Sequence, residues 1–67
     1  EEPEEAEFQL IRTKEFPMKP MTRDEAILQM NLLEHTFFAF RDEDNGGVFA
    51  VVYKRNNGGY GIIEDQP

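Results

Sequence analysis

Two stretches of this chain, Phe37-Phe38-Ala39-Phe40 and Val48-Phe49-Ala50-Val51-Val52-Tyr53, are apolar at every position rather than at every second one. A strand that alternates apolar with polar residues buries one face of its sheet, whereas one apolar throughout needs cover on both. Polar turn residues bound the two stretches: Asp42-Glu43-Asp44-Asn45-Gly46-Gly47 between them, and Asn56-Asn57-Gly58-Gly59 after the second. Tyr60-Gly61-Ile62-Ile63 closes a three-strand meander. The chain has 67 residues and room for one helix, and a helix of about 12 residues covers one sheet face. The other face would be a broad apolar surface of a kind that monomers seldom expose. A partner must cover it.

The helix starts at a capping box, Thr22-Arg23-Asp24-Glu25, in which the Thr22 hydroxyl accepts from the Glu25 amide. Asp24 and Glu25 also suit the positive end of the helix dipole. The periodicity carries the helix to about Glu34, with Ala26, Ile27, Met30 and Leu33 on one arc. Leu28 and Leu32 form a second stripe, which the connector at 16–21 is expected to fold back over. That connector contains Pro17 and Pro20, whose restraint on their predecessors makes it extended rather than helical. Before it, Phe8-Gln9-Leu10-Ile11-Arg12-Thr13-Lys14 alternates well enough for a strand. The expected fold is therefore α+β, in the order β-α-β-β-β, with one helix on one face of a small, mostly antiparallel four-stranded sheet.

A two-residue turn centred on Asn57-Gly58 sets Tyr53 opposite Ile62 and Val52 opposite Ile63. Pairing Phe37 with Tyr53 across the first turn then gathers Phe37, Ala39, Val51, Tyr53, Tyr60 and Ile62 on one face. These six are the candidate interface with a second copy of the chain, while Phe38, Phe40, Val52 and Ile63 pack beneath the helix.

Composition narrows the alternatives. There is no cysteine and one histidine, His35, so neither a disulfide nor a thiolate or histidine-cluster metal site is expected. No spacing sets paired carboxylates beside a base, and Thr22 serves as a cap rather than a nucleophile, so neither catalysis nor a cofactor is expected. His35 follows the helix, where the dipole stabilises a cation; sensing pH at an interface is the sharper alternative. The net charge is −7, but five acids fall within residues 1–7, and the remainder carries 9 acids against 7 bases. The expected organisation is an acidic linker end at 1–7, a dimerisation domain at 8–64 and a short tail at 65–67. No apolar run is long enough for a membrane span, and the acidic start is unlike a signal peptide, so a cytoplasmic setting is expected. Two other partner classes stay open. Arg41, Lys54 and Arg55 beside Tyr53 suit a small RNA-binding module, against which stands the negative charge of the body. Capture of a different protein would use the same apolar face.

Read in order, several segments resemble the C-terminal domain of long-form ribosome hibernation promoting factors. They are Ile11-Arg12-Thr13-Lys14, Phe16-Pro17-Met18-Lys19-Pro20-Met21, Glu25-Ala26-Ile27-Leu28-Gln29-Met30 with Leu32-Leu33, and His35 followed by Phe37-Phe38-Ala39-Phe40-Arg41. Val51-Val52-Tyr53-Lys54-Arg55 and Gly59-Tyr60-Gly61-Ile62-Ile63-Glu64 complete the match over about residues 8–64. One departure is Glu34, where the family often has a glycine. The resemblance implies a homodimerisation domain joined by an acidic linker to a separate N-terminal domain that binds the small ribosomal subunit. Pairing of two such domains would join two idle ribosomes in a translationally silent dimer, in bacteria or in plastids. The ribosome would thus be an indirect partner of these 67 residues, with no direct nucleic-acid contact expected.

Overall fold

The computed structural model describes residues 8–15 and 17–66. The segment 1–7, expected as a linker, lies outside the described residues. The order is β1 (Pro20–Met21), α1 (Arg23–Leu32), β2 (Phe37–Asp42), a 3-10 turn (Glu43–Asn45), β3 (Val48–Lys54) and β4 (Tyr60–Glu64). The strands form one sheet in that same order, with β1 parallel to β2 and the other neighbours antiparallel. The class is the expected α+β and the element order β-α-β-β-β, but the first strand is a two-residue piece of the stretch expected as a connector rather than the strand expected at 8–14.

Both ends of α1 follow from local chemistry. Thr22 has extended dihedrals, and its Oγ1 accepts from the Glu25 amide at 3.1 Å, supplying one of the helix's otherwise unmatched donors with a partner. At the other end, the Glu34 amide donates to Asn31 O at 3.1 Å and the His35 amide to Met30 O at 3.0 Å. This is a Schellman closure, which requires a left-handed residue at its centre. Glu34 takes that conformation, with φ 59, so the closure forms without glycine and at a steric cost.

The core lies between α1 and one sheet face. Ala26, Met30, Phe40, Ala50 and Val52 are buried, with Met21, Ile27 and Phe38 packed against them. Side chains alternate along a strand, so Phe38, Phe40 and Asp42 share this face on β2. Leu33, expected on the buried arc, is half exposed, because the helix has ended before it. Leu28 and Leu32 are also exposed; the described part of the connector runs into β1 beside β2 instead of folding over them.

The β2–β3 register is the expected one, running unbroken from Phe37 opposite Tyr53 to Asp42 opposite Val48. The β3–β4 register differs by one residue: Tyr53 lies opposite Gly61, Val52 opposite Ile62 and Val51 opposite Ile63. The cause is the loop. Arg55 N donates to Gly59 O at 2.8 Å and Gly58 N to Arg55 O at 3.3 Å, which leaves residues 56–58 as a three-residue loop. Gly58 has φ 94, and Asn57 is not among the positive-φ residues. A two-residue turn of the expected kind needs that conformation at both positions, whereas a three-residue loop needs it once.

The strand expected at 8–14 is not formed. Residues 8–15 carry no regular hydrogen-bonded structure, and Phe8, Leu10 and Ile11 are 84–88% exposed. A strand exists only through its ladder, and β1 pairs with β2 only at Arg41 and Asp42. Continued upstream in that register, the chain would draw level with Phe37 four residues before Pro20. Among the described residues, 8–14 have no strand beside them.

A charged clasp closes the opposite end of the sheet. Asp42, fully buried, accepts from Arg23 Nε at 2.8 Å and from the Asp44 amide at 2.9 Å. Arg23 also bonds Glu64 at 3.0 Å, and Glu64 in turn accepts from Asn45 Nδ2 at 3.0 Å. Burial alone would raise the Asp42 pKa. The Arg23 side chain and the Asp44 amide, both bonded to its oxygens, help to outweigh it and hold the carboxyl below its ordinary value. No buried side-chain polar atom among the described residues lacks a partner.

Three outcomes are expected. Because the Asp42 pKa is lowered on folding, its contribution is complete above about pH 4 and is lost as pH falls through the folded value. Acid titration of the denaturant midpoint should show that loss, and Asp42→Asn should flatten it. Arg23→Ala, which leaves a buried carboxylate without its cation, should lower the denaturant midpoint, and by less than the loss of a fully buried pair would because Arg23 is half exposed. Glu34→Gly should stabilise the fold by about 0.5–1 kcal/mol in the same unfolding assay, by relieving the left-handed strain.

Candidate functional site

The sheet face away from α1 is set by the same alternation that builds the core. Phe37, Ala39 and Arg41 on β2 lie level with Tyr53, Val51 and Phe49 on β3, and β4 adds Gly61 and Ile63. Phe37 is 60% exposed, Ile63 62% and Phe49 39%, while Ala39, Val51 and Tyr53 are half-buried between them. The result is a nearly continuous apolar surface on which Arg41 is the one charged strand residue among the described ones.

Four of the six expected interface residues, Phe37, Ala39, Val51 and Tyr53, share this face. Tyr60 and Ile62 do not. The one-residue shift turns them toward the helix, where Tyr60 Oη accepts from Asn31 Nδ2 at 3.3 Å and Ile62 shares a small hollow with Ile27 and Val52. Ile63, expected beneath the helix, takes their place on the open face. Phe49 lies there too, a consequence of the β2–β3 pairing that went unremarked in the sequence. The signal for Ile63 was present in the length of the 55–59 loop, but the Asn-Gly pair pointed to a shorter turn.

Gly61 is integral to the face. A Cβ at this position would collide with the Tyr53 ring, which lies across the glycine. The absent side chain leaves room for the ring to lie over the strand.

A groove of about 560 Å³ borders the open face at the start of β2, lined by Lys14, Met18, Leu33, His35, Phe37, Phe38 and Ala39. It follows the stretch of β2 upstream of Arg41, whose outer edge has no strand beside it among the described residues. An apolar face, an unpaired edge and exposed apolar side chains at 8–11 are features suited to docking a polypeptide. Among the described residues no three His, Cys, Asp or Glu side chains are grouped to hold a metal. No helix there is long and apolar enough to cross a membrane.

This β-α-β-β-β domain belongs to the family described as Sigma 54 modulation/S30EA ribosomal protein C terminus, which matches residues 5–62. Among curated relatives, it is 52% identical over 58 residues to the ribosome hibernation promotion factor of Staphylococcus aureus (strain COL). That match takes in 87% of this chain and 30% of the relative, so the chain spans about a third of the relative's length.

The role of Gly61 can be measured. Gly61→Ala should displace the Tyr53 ring and cost about 1–3 kcal/mol of stability by overpacking. The double variant Gly61→Ala, Tyr53→Ala should recover part of that loss, since the colliding ring is gone.

Proposed function

We propose that this domain is the self-pairing module of a ribosome hibernation promotion factor, and that its open sheet face meets the same face of a second copy. Through that contact, two ribosome-bound copies would be drawn together as translationally inactive ribosome dimers, with ribosome binding supplied by a separate N-terminal domain. The observation that carries this reading is the composition of the uncovered face. Phe37, Phe49, Val51, Tyr53 and Ile63 are aromatic or β-branched side chains laid out on one side of a folded sheet, with α1 spent on the other side.

A partner that buries this face removes apolar area from water at about 25 cal/mol per Å². Burial also gives a small domain without disulfides the support that such domains usually need. Identity between the copies is supported by the self-complementary character of an apolar, nearly uncharged surface, for which like-charge repulsion across a two-fold axis is slight. The exposed segment at 8–14 adds a second contact. It alternates as a strand does and has no ladder in its own chain, so it suits the unpaired edge of β2 in the other copy. The name of the Staphylococcus aureus relative gives the biological setting, ribosome hibernation.

Light scattering across a dilution series should return a mass near twice 7.8 kDa. Phe37→Ala and Tyr53→Ala should lower the association constant more than they lower the unfolding midpoint. A folded species of 7.8 kDa at every concentration would reject self-pairing. Salt-dependent retention of that monomer on RNA would then favour contacts through Lys54 and Arg55.

A further inference from the structure

Two asparagines in this chain precede glycine, Asn45-Gly46 and Asn57-Gly58. At such a pair the glycine amide nitrogen can attack the asparagine side-chain carbonyl carbon, because no Cβ on the following residue hinders the approach. The fold holds the two sites differently. Asn45 closes the 3-10 turn, and its Nδ2 donates to Glu64 Oε1 at 3.0 Å. The would-be leaving nitrogen and its side-chain torsions are thereby tied into the Arg23–Asp42–Glu64 clasp.

Asn57 sits exposed at the β3–β4 tip. Its Oδ1 accepts from the Gly59 amide at 3.3 Å, so a donor already faces the oxygen on which negative charge would develop during attack at Cγ. Gly58 has open space around its Cα, and its amide is held only by a long 3.3 Å bond to Arg55 O. The nucleophile is loosely held, the electrophile is polarised and the leaving amide faces water.

We propose that Asn57 is a site of spontaneous deamidation in the folded protein, with Gly58 N as nucleophile and water as co-reactant, and that the clasp protects Asn45. In the first step Gly58 N bonds to Asn57 Cγ, the Cγ–Nδ2 bond breaks, and ammonia leaves with the proton given up by the glycine amide. This closes a succinimide. In the second step water adds to either ring carbonyl and breaks its bond to nitrogen, yielding aspartate or isoaspartate; no electrons are transferred. The tip Lys54-Arg55-Asn56-Asn57 falls from a formal charge of +2 to +1. The isoaspartate product also adds a backbone methylene inside the loop that fixes the β4 register. Resting on the self-pairing reading, Ile63 and Gly61 on the open face are then tied to a loop that changes with the age of the molecule.

The test is peptide mapping by mass spectrometry of the folded protein, held at mildly alkaline pH and physiological temperature, beside a sample kept in denaturant. Folded protein should convert Asn57 roughly tenfold or more faster than Asn45, the size of effect a placed donor and a restrained leaving group can supply. In denaturant the two rates should converge. Equal rates in the folded protein, faster loss of Asn45, or a preference for Asn57 that persists undiminished in denaturant would each overturn the assignment. None of these readouts depends on whether the domain pairs with itself.

Discussion

Asp42 is the residue on which every element of this domain bears. Its backbone pairs with Met21 of β1 and Val48 of β3, and its carbonyl accepts from the Gly47 amide that ends the 3-10 turn. Its carboxylate holds Arg23 at the start of α1, and through Arg23 it reaches Glu64 at the end of β4. A charge so deeply buried is tolerated only because each of its oxygens is matched. The match also has a geometric consequence. Pinning the first turn of α1 to the end of β2 sets the helix across one face and fixes which side of the sheet is left bare.

The bare side follows from how little chain there is. One helix of ten residues cannot wrap a sheet of four strands, so the second face of β2 and β3 is left to whatever the domain meets. The clasp and the core occupy one layer, and the other is the bare apolar face. Gly61 belongs to both, since it shapes the open face by letting the Tyr53 ring lie across a strand otherwise defined by its hydrogen bonds.

Much of this was legible in the residues. The unbroken apolar runs at 37–40 and 48–53 imply two covered faces, and Thr22 with Glu25 marks the helix start. Pairing of Phe37 with Tyr53 follows from the intervening turn residues. What escaped were choices decided by geometry a few residues long. Asn57-Gly58 is compatible with loops of two or three residues, and only backbone pairing of Arg55 with Gly59 selects between them. That choice moved Tyr60 and Ile62 to the helix side and Ile63 to the open one. The alternating segment at 8–14 is a strand by pattern, yet pattern does not supply a neighbour. Leu28 and Leu32 look like a second buried stripe, but their cover depended on the path of the connector, and Pro20 directs it alongside β2. Glu34 forms a helix closure usually given to glycine because the surrounding hydrogen bonds impose it.

The two borders of the sheet are unlike, and that difference governs how copies could add to one another. On one side β2 offers a stretch of backbone that is bare among the described residues, beside an apolar groove; on the other, β4 ends in Glu64, followed by Asp65, with Glu64 engaged in the clasp and the Asp65 amide bonded to Phe49 O. Acidic side chains at a strand end discourage another chain from docking there. Growth of one molecule onto the next, border to border, would need both sides to be receptive, and here one is guarded. Contact through a flat face, by contrast, consumes the surface that makes it. Under the self-pairing proposed above, the asymmetry of the sheet would favour closure over filament, so that assembly would stop at a count rather than run on.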